Sequence, residues 1–208
     1  RRYSLRVSQI DGRVTLTLQR RAPLEEGLAF LRDKEAWIRN HLSNRPDGHR
    51  VRIGGDLPVE GVPVPVVAAA LRSPRLEAGE LLVPDDPDRV GRRVAAFLKL
   101  AARDRLAEAS DRHAAALGRR YGKLTLRDTR SRWGSCSSRG DLMYSWRLIM
   151  APPEVLDYVA AHEVAHLAEM NHSPAFWALV ARLCPDHKRH RAWLRVHGPA
   201  LHQVQFAD

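Results

Sequence analysis

The sequence predicts an α+β protein, with a β-rich N-terminal region at residues 1–86 and a more helical part at residues 87–208. Short apolar runs that alternate with polar residues, or that Gly and Pro bound, dominate the first part. A long Ala-, Leu- and Arg-rich pattern with helical period opens the second. With 208 residues, of which 44% are hydrophobic, the chain can bury a core as one domain or two small ones. We place a boundary near Asp86.

The N-terminal region begins with a predicted β-hairpin. Residues 3–19 alternate apolar and polar side chains around Asp11-Gly12, a pair that favours a two-residue turn between strands. Residues 23–42 then carry leucine, tryptophan and isoleucine on one helical stripe, which predicts a helix. Three short β-like runs complete this region: VRIGG, VPVPVVAAA and ELLVP.

The C-terminal part opens with a predicted helix from Pro87 to about Gly122. The runs KLTLRD and DLMYSWRLIM follow as two predicted strands. They are joined through SRWGSCSSRG, whose Gly and Ser content permits a hairpin turn.

Three helices are predicted after these strands. Pro152-Pro153 starts the first, because proline is tolerated in a first helical turn, and Asn171 is its predicted left-handed C-cap. Ser173 is the predicted N-cap of the second helix, which Pro185 ends. Gly198 closes the last one.

The net charge of +10 is carried mainly by arginine. A solvated basic surface commonly explains such an excess of positive charge. A more specific explanation is that the protein binds an anionic partner. No RNA- or DNA-binding fingerprint accompanies the charge, so nucleic acid is not favoured as a partner. No apolar stretch could span a bilayer and no apolar signal region opens the chain. Together with only two cysteines, Cys136 and Cys184, this leads us to expect a cytoplasmic protein without a membrane or disulfide framework.

The motif HEVAH at residues 162–166 predicts a metal site. His162 and His166 are four residues apart, so a helix projects both imidazoles from one face, where they can bind one Zn²⁺. Glu163 lies about 100° around the helix and could reach a water molecule without ligating the ion. The apolar neighbours of these residues indicate a buried helix, in which paired histidines need a partner.

His172 is the leading candidate for a third ligand, because the predicted end of the helix near Asn171 lets the chain turn back. The spacing 162, 166 and 172 is that of the metzincin histidines, but Glu169 stands where that clan has glycine. Other candidates for the third position remain: Asp186, His187, His190, His197 and His202.

The stretch from Arg130 to Trp193 resembles the YgjP-like metal-dependent hydrolase family, also described as a YgjP-like metallopeptidase domain. The likeness rests on RWGSC together with HEVAH and NHSPAFW, and FLRDKEAWIRNHL resembles the opening of the family. It implies a zincin-like architecture, in which the HExxH helix packs with a small β-sheet. It implies Zn²⁺ as cofactor, Glu163 as the catalytic residue, and as ligands His162, His166 and His172. Asp141 and Ser145 depart from the pattern, which has asparagine there.

The resemblance leaves the substrate open, because members are described as metallopeptidases and as pyrophosphatases that act on UTP. A peptidase needs an edge strand against which a peptide can pair, and the strand leading from RWGS could supply it. A triphosphate needs cations near the metal, and several arginines flank the same connection: Arg130, Arg132, Arg139 and Arg147. The candidate substrate-binding residues are Arg132, Trp133 and Ser135. A third interpretation is a basic nucleic-acid-associated metalloprotein, which would need a closed four-ligand site or a continuous basic stripe.

Overall fold

A computed structural model describes residues 3–8, 12–20, 22–43 and 49–206. Contacts divide the chain into two compact units, Arg1–Gly48 and His49–Asp208. The composition change near Asp86 falls inside the second unit, between its strand-rich and helix-rich parts. The fold mixes helices and sheets throughout, which confirms the α+β class.

The first unit contains a hairpin and two helices. Its elements are β1 (Ser4–Val7), β2 (Val14–Thr17), α1 (Leu24–Asp33) and α2 (Glu35–Ser43). The two strands pair antiparallel from Ser4↔Thr17 to Val7↔Val14, as the alternating pattern predicts. Gly12 has a φ of 71° at the turn, while Asp11 lies outside the described residues. The sequence predicts one helix here, but the structure has two, because the chain breaks helical geometry at Lys34.

A four-stranded sheet opens the second unit. Its strands are β3 (Asp56–Val59), β4 (Val62–Ala69), β5 (Arg75–Glu77) and β6 (Glu80–Pro84), in the order β3-β4-β6-β5. The central pair β4 and β6 is parallel, and both outer pairs are antiparallel. The predicted strand VRIGG is wrong, since those residues form turns and the strand begins only at Asp56. Glu60 and Gly61 both have positive φ, the geometry of a tight hairpin turn.

The long helix α3 (Val90–Leu117) crosses the unit and ends at Gly118, whose φ of 66° is the left-handed conformation of a C-cap. Its buried face repeats at helical spacing and packs on the elements that carry the site. This face comprises Val94, Leu98, Ala102, Leu106, Ala109 and His113. The hydroxyl of Ser110 lies 3.0 Å from that of the fully buried Tyr144, which joins the helix to the sheet described next.

A second sheet consists of β7 (Leu124–Arg127), β8 (Gly134–Cys136) and β9 (Leu142–Ser145), in the order β7-β9-β8. The predicted hairpin between β7 and β9 is wrong, because these two strands run parallel. The connection supplies β8 instead, and the hairpin is β8–β9. The predicted last strand also ends early: the apolar run Trp146–Met150 is a 3-10 helix whose side chains fill the core.

Three helices complete the fold: α4 (Pro153–Ala165), α5 (Pro174–Leu183) and α6 (His187–Gln203). The predicted C-cap at Asn171 is wrong, since α4 ends at Ala165 and tighter turns follow. Ser173 caps α5 as predicted and accepts a hydrogen bond from the Phe176 backbone N–H at 3.2 Å. The helix α6 continues past Gly198, the residue predicted to close it. None of the helices described is long and apolar enough to cross a membrane.

Candidate metal centre

Three histidines meet where α4 ends and α5 begins. Because α4 ends at Ala165, His166 caps it, and the chain returns to place His172 just before α5. One ring nitrogen from each of these residues and His162 lies within 4.8 Å of the others. The Nε2 atoms of His162 and His172 are 3.1 Å apart. The structure thus brings together the three residues whose spacing predicted a metal site.

Helix α5 holds the imidazole rings in place. Phe176 is fully buried and stacks on His166 with ring centroids 4.5 Å apart. It also meets the rings of His162 and His172 edge-on, at 4.9 and 4.8 Å. Trp177 stacks on His172 at 5.8 Å. The cap at Ser173 fixes the start of α5, and this is why the sequence NHSPAFW can both supply a ligand and pack the other two.

Two of the three histidines are held in the neutral form that metals bind. Burial, and after it the charges of His166 and His172, lower the pKa of His162 to about 3. Burial also lowers the pKa of His166. Both rings are therefore neutral at pH 7, the form that binds metals. His166 Nδ1 lies 3.0 Å from the Glu169 carbonyl oxygen, so it donates there and leaves Nε2 free to ligate.

This donor set fits a divalent ion. Three imidazole nitrogens within 4.8 Å of one another match the three-ligand sets of catalytic zinc sites. Sequence spacing left other candidates for the third position. Among the described residues, the one cluster of metal-binding side chains contains His172 and not Asp186 or the α6 histidines.

Glu163 follows His162 on α4 and lies against β8 of the second sheet. Its side chain is buried, with 6% of the residue exposed, and the Cys136 backbone N–H donates to its carboxylate. Burial raises the pKa of Glu163 to about 8, although the charge of Arg132 and this hydrogen bond act in the opposite direction. A cation held by the histidines would lower that pKa again. The carboxylate is therefore placed to exchange a proton at neutral pH.

The strand β8 is an outer strand of its sheet and runs alongside Glu163. Side chains alternate along a strand, so Cys136 shares the face on which Gly134 meets Glu163, and Ser135 projects from the other face. Burial raises the pKa of Cys136 to about 11, which keeps this thiol protonated. The side chain of Ser135 thus points away from the glutamate.

A pocket of about 340 Å³ adjoins Glu163 and His162. Its walls come from the start of β8, one face of α4 and one face of α6. The remaining lining residues are Trp133, Gly134, Tyr158, Val159, Arg191, Leu194 and Arg195. Trp133 stacks on His202 at 4.5 Å, and Gly198 lets α6 approach it, since a Cβ there would lie 2.9 Å from the indole ring. This close approach explains a glycine inside the helix.

The predicted substrate residues therefore differ in their placement. Trp133 lines the pocket, whereas Arg132 is exposed and acts on Glu163 through its charge. Arg147, one of the arginines flanking the connection, is a structural residue: it donates to Asp128 at 2.6 Å and to two carbonyls at the end of α6. Sequence reasoning missed Arg191 and Arg195. Their four-residue spacing could be read from the sequence, but the sequence did not show which face of α6 packs against the site.

A cluster of three histidines, with a buried glutamate next to the first of them on α4, is consistent with a metal-dependent hydrolase. The chain belongs to the YgjP-like family, since the family's metallopeptidase domain matches residues 1–197. Among solved structures, the metallopeptidase zymogen abylysin of Pyrococcus abyssi aligns with a TM-score of 0.40 and 21% identity. That alignment covers 45% of this chain and 92% of the other. No curated protein gives a significant match.

Proposed function

We propose that this protein is a zinc metallopeptidase of zincin-like architecture, in which His162, His166 and His172 hold the ion and Glu163 is the general base. The observation that supports the proposal most is the clustering of three imidazoles within 4.8 Å of one another, on a segment that also carries the buried carboxylate of Glu163. When bound, zinc supplies Lewis acidity toward a carbonyl oxygen and acidifies water. The remaining steps belong to side chains of this protein.

Glu163 accepts the proton of the attacking water and passes it to the leaving amine. The Cys136 backbone N–H and the close approach of Gly134 give its carboxylate one orientation. Burial raises the pKa of Glu163 and a bound cation would lower it, so the carboxylate would be ionised in the zinc-loaded protein and able to take the proton. General acid–base catalysis of this kind contributes about 10²–10⁴-fold to a rate.

The substrate would be an extended peptide that pairs with β8. Main-chain hydrogen bonds to an outer strand hold a peptide in register without demanding a particular sequence. Such a peptide would run past Glu163, with Arg132 and Trp133 at one end of the strand. The outward main-chain groups of β8 would be those of Gly134 and Cys136, because the backbone of Ser135 faces Met143 of β9 and its side chain projects from the opposite face of the sheet.

A nucleoside-triphosphate pyrophosphatase is the second candidate, favoured by the arginines around Glu163. A triphosphate needs such cations, whereas main-chain pairing of a peptide does not. Arg132→Ala should then impair UTP hydrolysis strongly and peptide cleavage weakly. For a nucleic-acid partner the support is the net charge of +10, and charge alone does not define a site.

The deciding experiment compares peptides with nucleoside triphosphates as substrates of the zinc-loaded protein. We expect peptide cleavage that a chelator abolishes and added zinc restores, with the Glu163→Gln variant as the inactive control. Hydrolysis of UTP without cleavage of any peptide would replace the proposal with its alternative. Activity that survives in both the chelated protein and Glu163→Gln would exclude this site from the reaction.

A further inference from the structure

The pocket beside Glu163 contains two arginines on one face of α6. Arg191 and Arg195 are four residues apart and line the pocket together with Leu194 between them. Residues at this spacing share a helix face, so both guanidinium groups belong to the same wall. The facing wall comes from α4, with Tyr158 one turn before His162.

Neither arginine forms an ion pair with a carboxylate in the part of the chain that the structure describes. Other arginines of this unit are paired: Arg105 with Glu60, Arg112 with Asp157 and Arg147 with Asp128. The guanidinium of Arg191 instead lies over the Trp177 ring, 5.0 Å from its centroid. Both arginines are exposed to solvent, and the one acidic residue among those that line the pocket is the buried Glu163.

Arg191 lies close to the histidine cluster, because Trp177, over which its guanidinium lies, stacks on His172. Two uncompensated cations next to a site for a divalent ion create a strongly positive region. An anionic group of the substrate would neutralise this positive charge. The guanidinium fork binds carboxylates through two parallel hydrogen bonds.

The other walls suit a side chain with a short apolar stem. Trp133, Val159 and Leu194 offer apolar surface, and the Tyr158 hydroxyl can donate a hydrogen bond. Burial raises the pKa of Tyr158 to about 12, so this hydroxyl keeps its proton at neutral pH. A volume of about 340 Å³ accommodates one or two amino-acid side chains.

We infer that this pocket is a subsite that selects a carboxylate of the peptide substrate, held by Arg191 and Arg195 next to the scissile bond. The inference rests on the proposed peptidase function and adds the class of substrate, an acidic peptide. The carboxylate is that of an aspartate or glutamate side chain or of the peptide C-terminus. Both sources present the same chemistry to the guanidinium groups.

The test measures binding, so that it does not depend on turnover. Zinc-loaded Glu163→Gln is titrated calorimetrically with amidated hexapeptides in which one glutamate moves through every position, and with a matched glutamine set. A third set has a free C-terminal carboxylate. We expect one position, or the free terminus, to bind about tenfold or more tighter than its neutral counterpart. The position of the preference distinguishes a side chain from a terminus.

Variants of α6 assign the preference to the pocket. Arg195→Gln, added to Glu163→Gln, should reduce the preference to less than about twofold, and Arg195→Glu should transfer it to lysine. Arg189→Gln is the matched control, because Arg189 is exposed on the same helix outside the pocket. The preference of the Arg189→Gln variant for acidic peptides should be unchanged. Thermal unfolding of all three variants verifies that they fold.

Two results would overturn the inference. One is equal binding of acidic and neutral peptides, including the case in which UTP binds and no peptide does. The other is a preference that survives the combined Arg191→Gln and Arg195→Gln substitutions. Failure of the peptidase proposal gives a different result: the acidic preference is present and depends on Arg195, but the wild-type protein cleaves none of the bound peptides.

Discussion

A Cβ atom on Gly134 would lie 2.6 Å from both Cγ and Oε1 of Glu163. The strand and the helix that carry these residues therefore approach as closely as a glycine permits. No positive φ requires glycine here, so this contact explains it. The position of the Glu163 carboxylate depends on this contact with Gly134.

Gly134→Ala should displace the Glu163 side chain and reduce turnover by about 10²-fold, since misplacement by about 1 Å costs this much. The three atoms nearest the added methyl group all belong to Glu163, so zinc content should not change. Steady-state kinetics and elemental analysis measure the two effects. Ser135→Ala is the control, because its side chain projects from the opposite face. If both variants lose activity equally, the strand and not the glutamate contact is responsible.

Glu163→Gln keeps the shape of the side chain and removes the base. Turnover should fall by about 10²-fold or more, while about one zinc ion per chain is retained. Kinetics and elemental analysis on the same preparation separate chemistry from metal binding. Near-normal turnover would show that another group takes the proton.

His172→Ala removes the proposed ligand that lies outside α4. Zinc affinity should fall by more than the roughly 10–100-fold that the loss of an outer hydrogen-bond partner costs. Competition with a zinc chelator measures the affinity. His197→Ala, an exposed histidine of α6, should leave it unchanged. Full and tight zinc binding by the His172 variant would assign the third position to another residue.

The pair Asp157–His113 predicts how stability depends on pH. Burial alone would raise the pKa of Asp157, but the hydrogen bond and charge of His113, with the charge of Arg112, outweigh it and lower that pKa. His113 Nε2 lies 2.9 Å from Oδ1 of Asp157, and this contact joins α3 to α4. A carboxyl group with a lowered pKa stabilises the fold above its unfolded pKa of about 3.9, and this contribution is lost as the pH falls through the folded value.

Asp157→Asn should therefore lower the free energy of unfolding by about 1–2 kcal/mol at pH 6, a range reduced for partial solvent exposure. The difference from wild type should shrink as the pH falls below about 4. Urea unfolding at a series of pH values measures it. A difference that persists unchanged to pH 2 would mean that packing, and not charge, accounts for the effect.

Much of the metal centre could be predicted from the sequence because its geometry is local. Helical spacing places His162 and His166 on one face whatever the rest of the fold does. Ser173 and Pro174 mark the start of α5, so His172 had to lie on the turn before it. The hydrogen-bonding needs of a helix start, which are the same in every protein, determine these features.

The features of the fold and site that were not predicted depend on contacts between residues distant in sequence. The segment Gly134–Cys136 has weak strand propensity and is a strand because β9 pairs with it. The run Trp146–Met150 is apolar in a way that suits a buried strand or a buried helix equally. Predicting the pocket would require knowing which face of α6 packs against α4. The pattern of a single sequence does not contain this information.

All three metal-binding histidines come from one short segment, and Phe176 packs against every ring. The ion would therefore bridge residues that the chain already holds side by side, and closing so short a loop contributes little conformational entropy. If the proposed site holds zinc, the fold should not depend on the ion. Chelation should leave the far-ultraviolet circular dichroism unchanged, and reloading should need no refolding. Exchange of the ion at equilibrium, governed by the supply of metal in its surroundings, could switch the activity on and off in an intact protein.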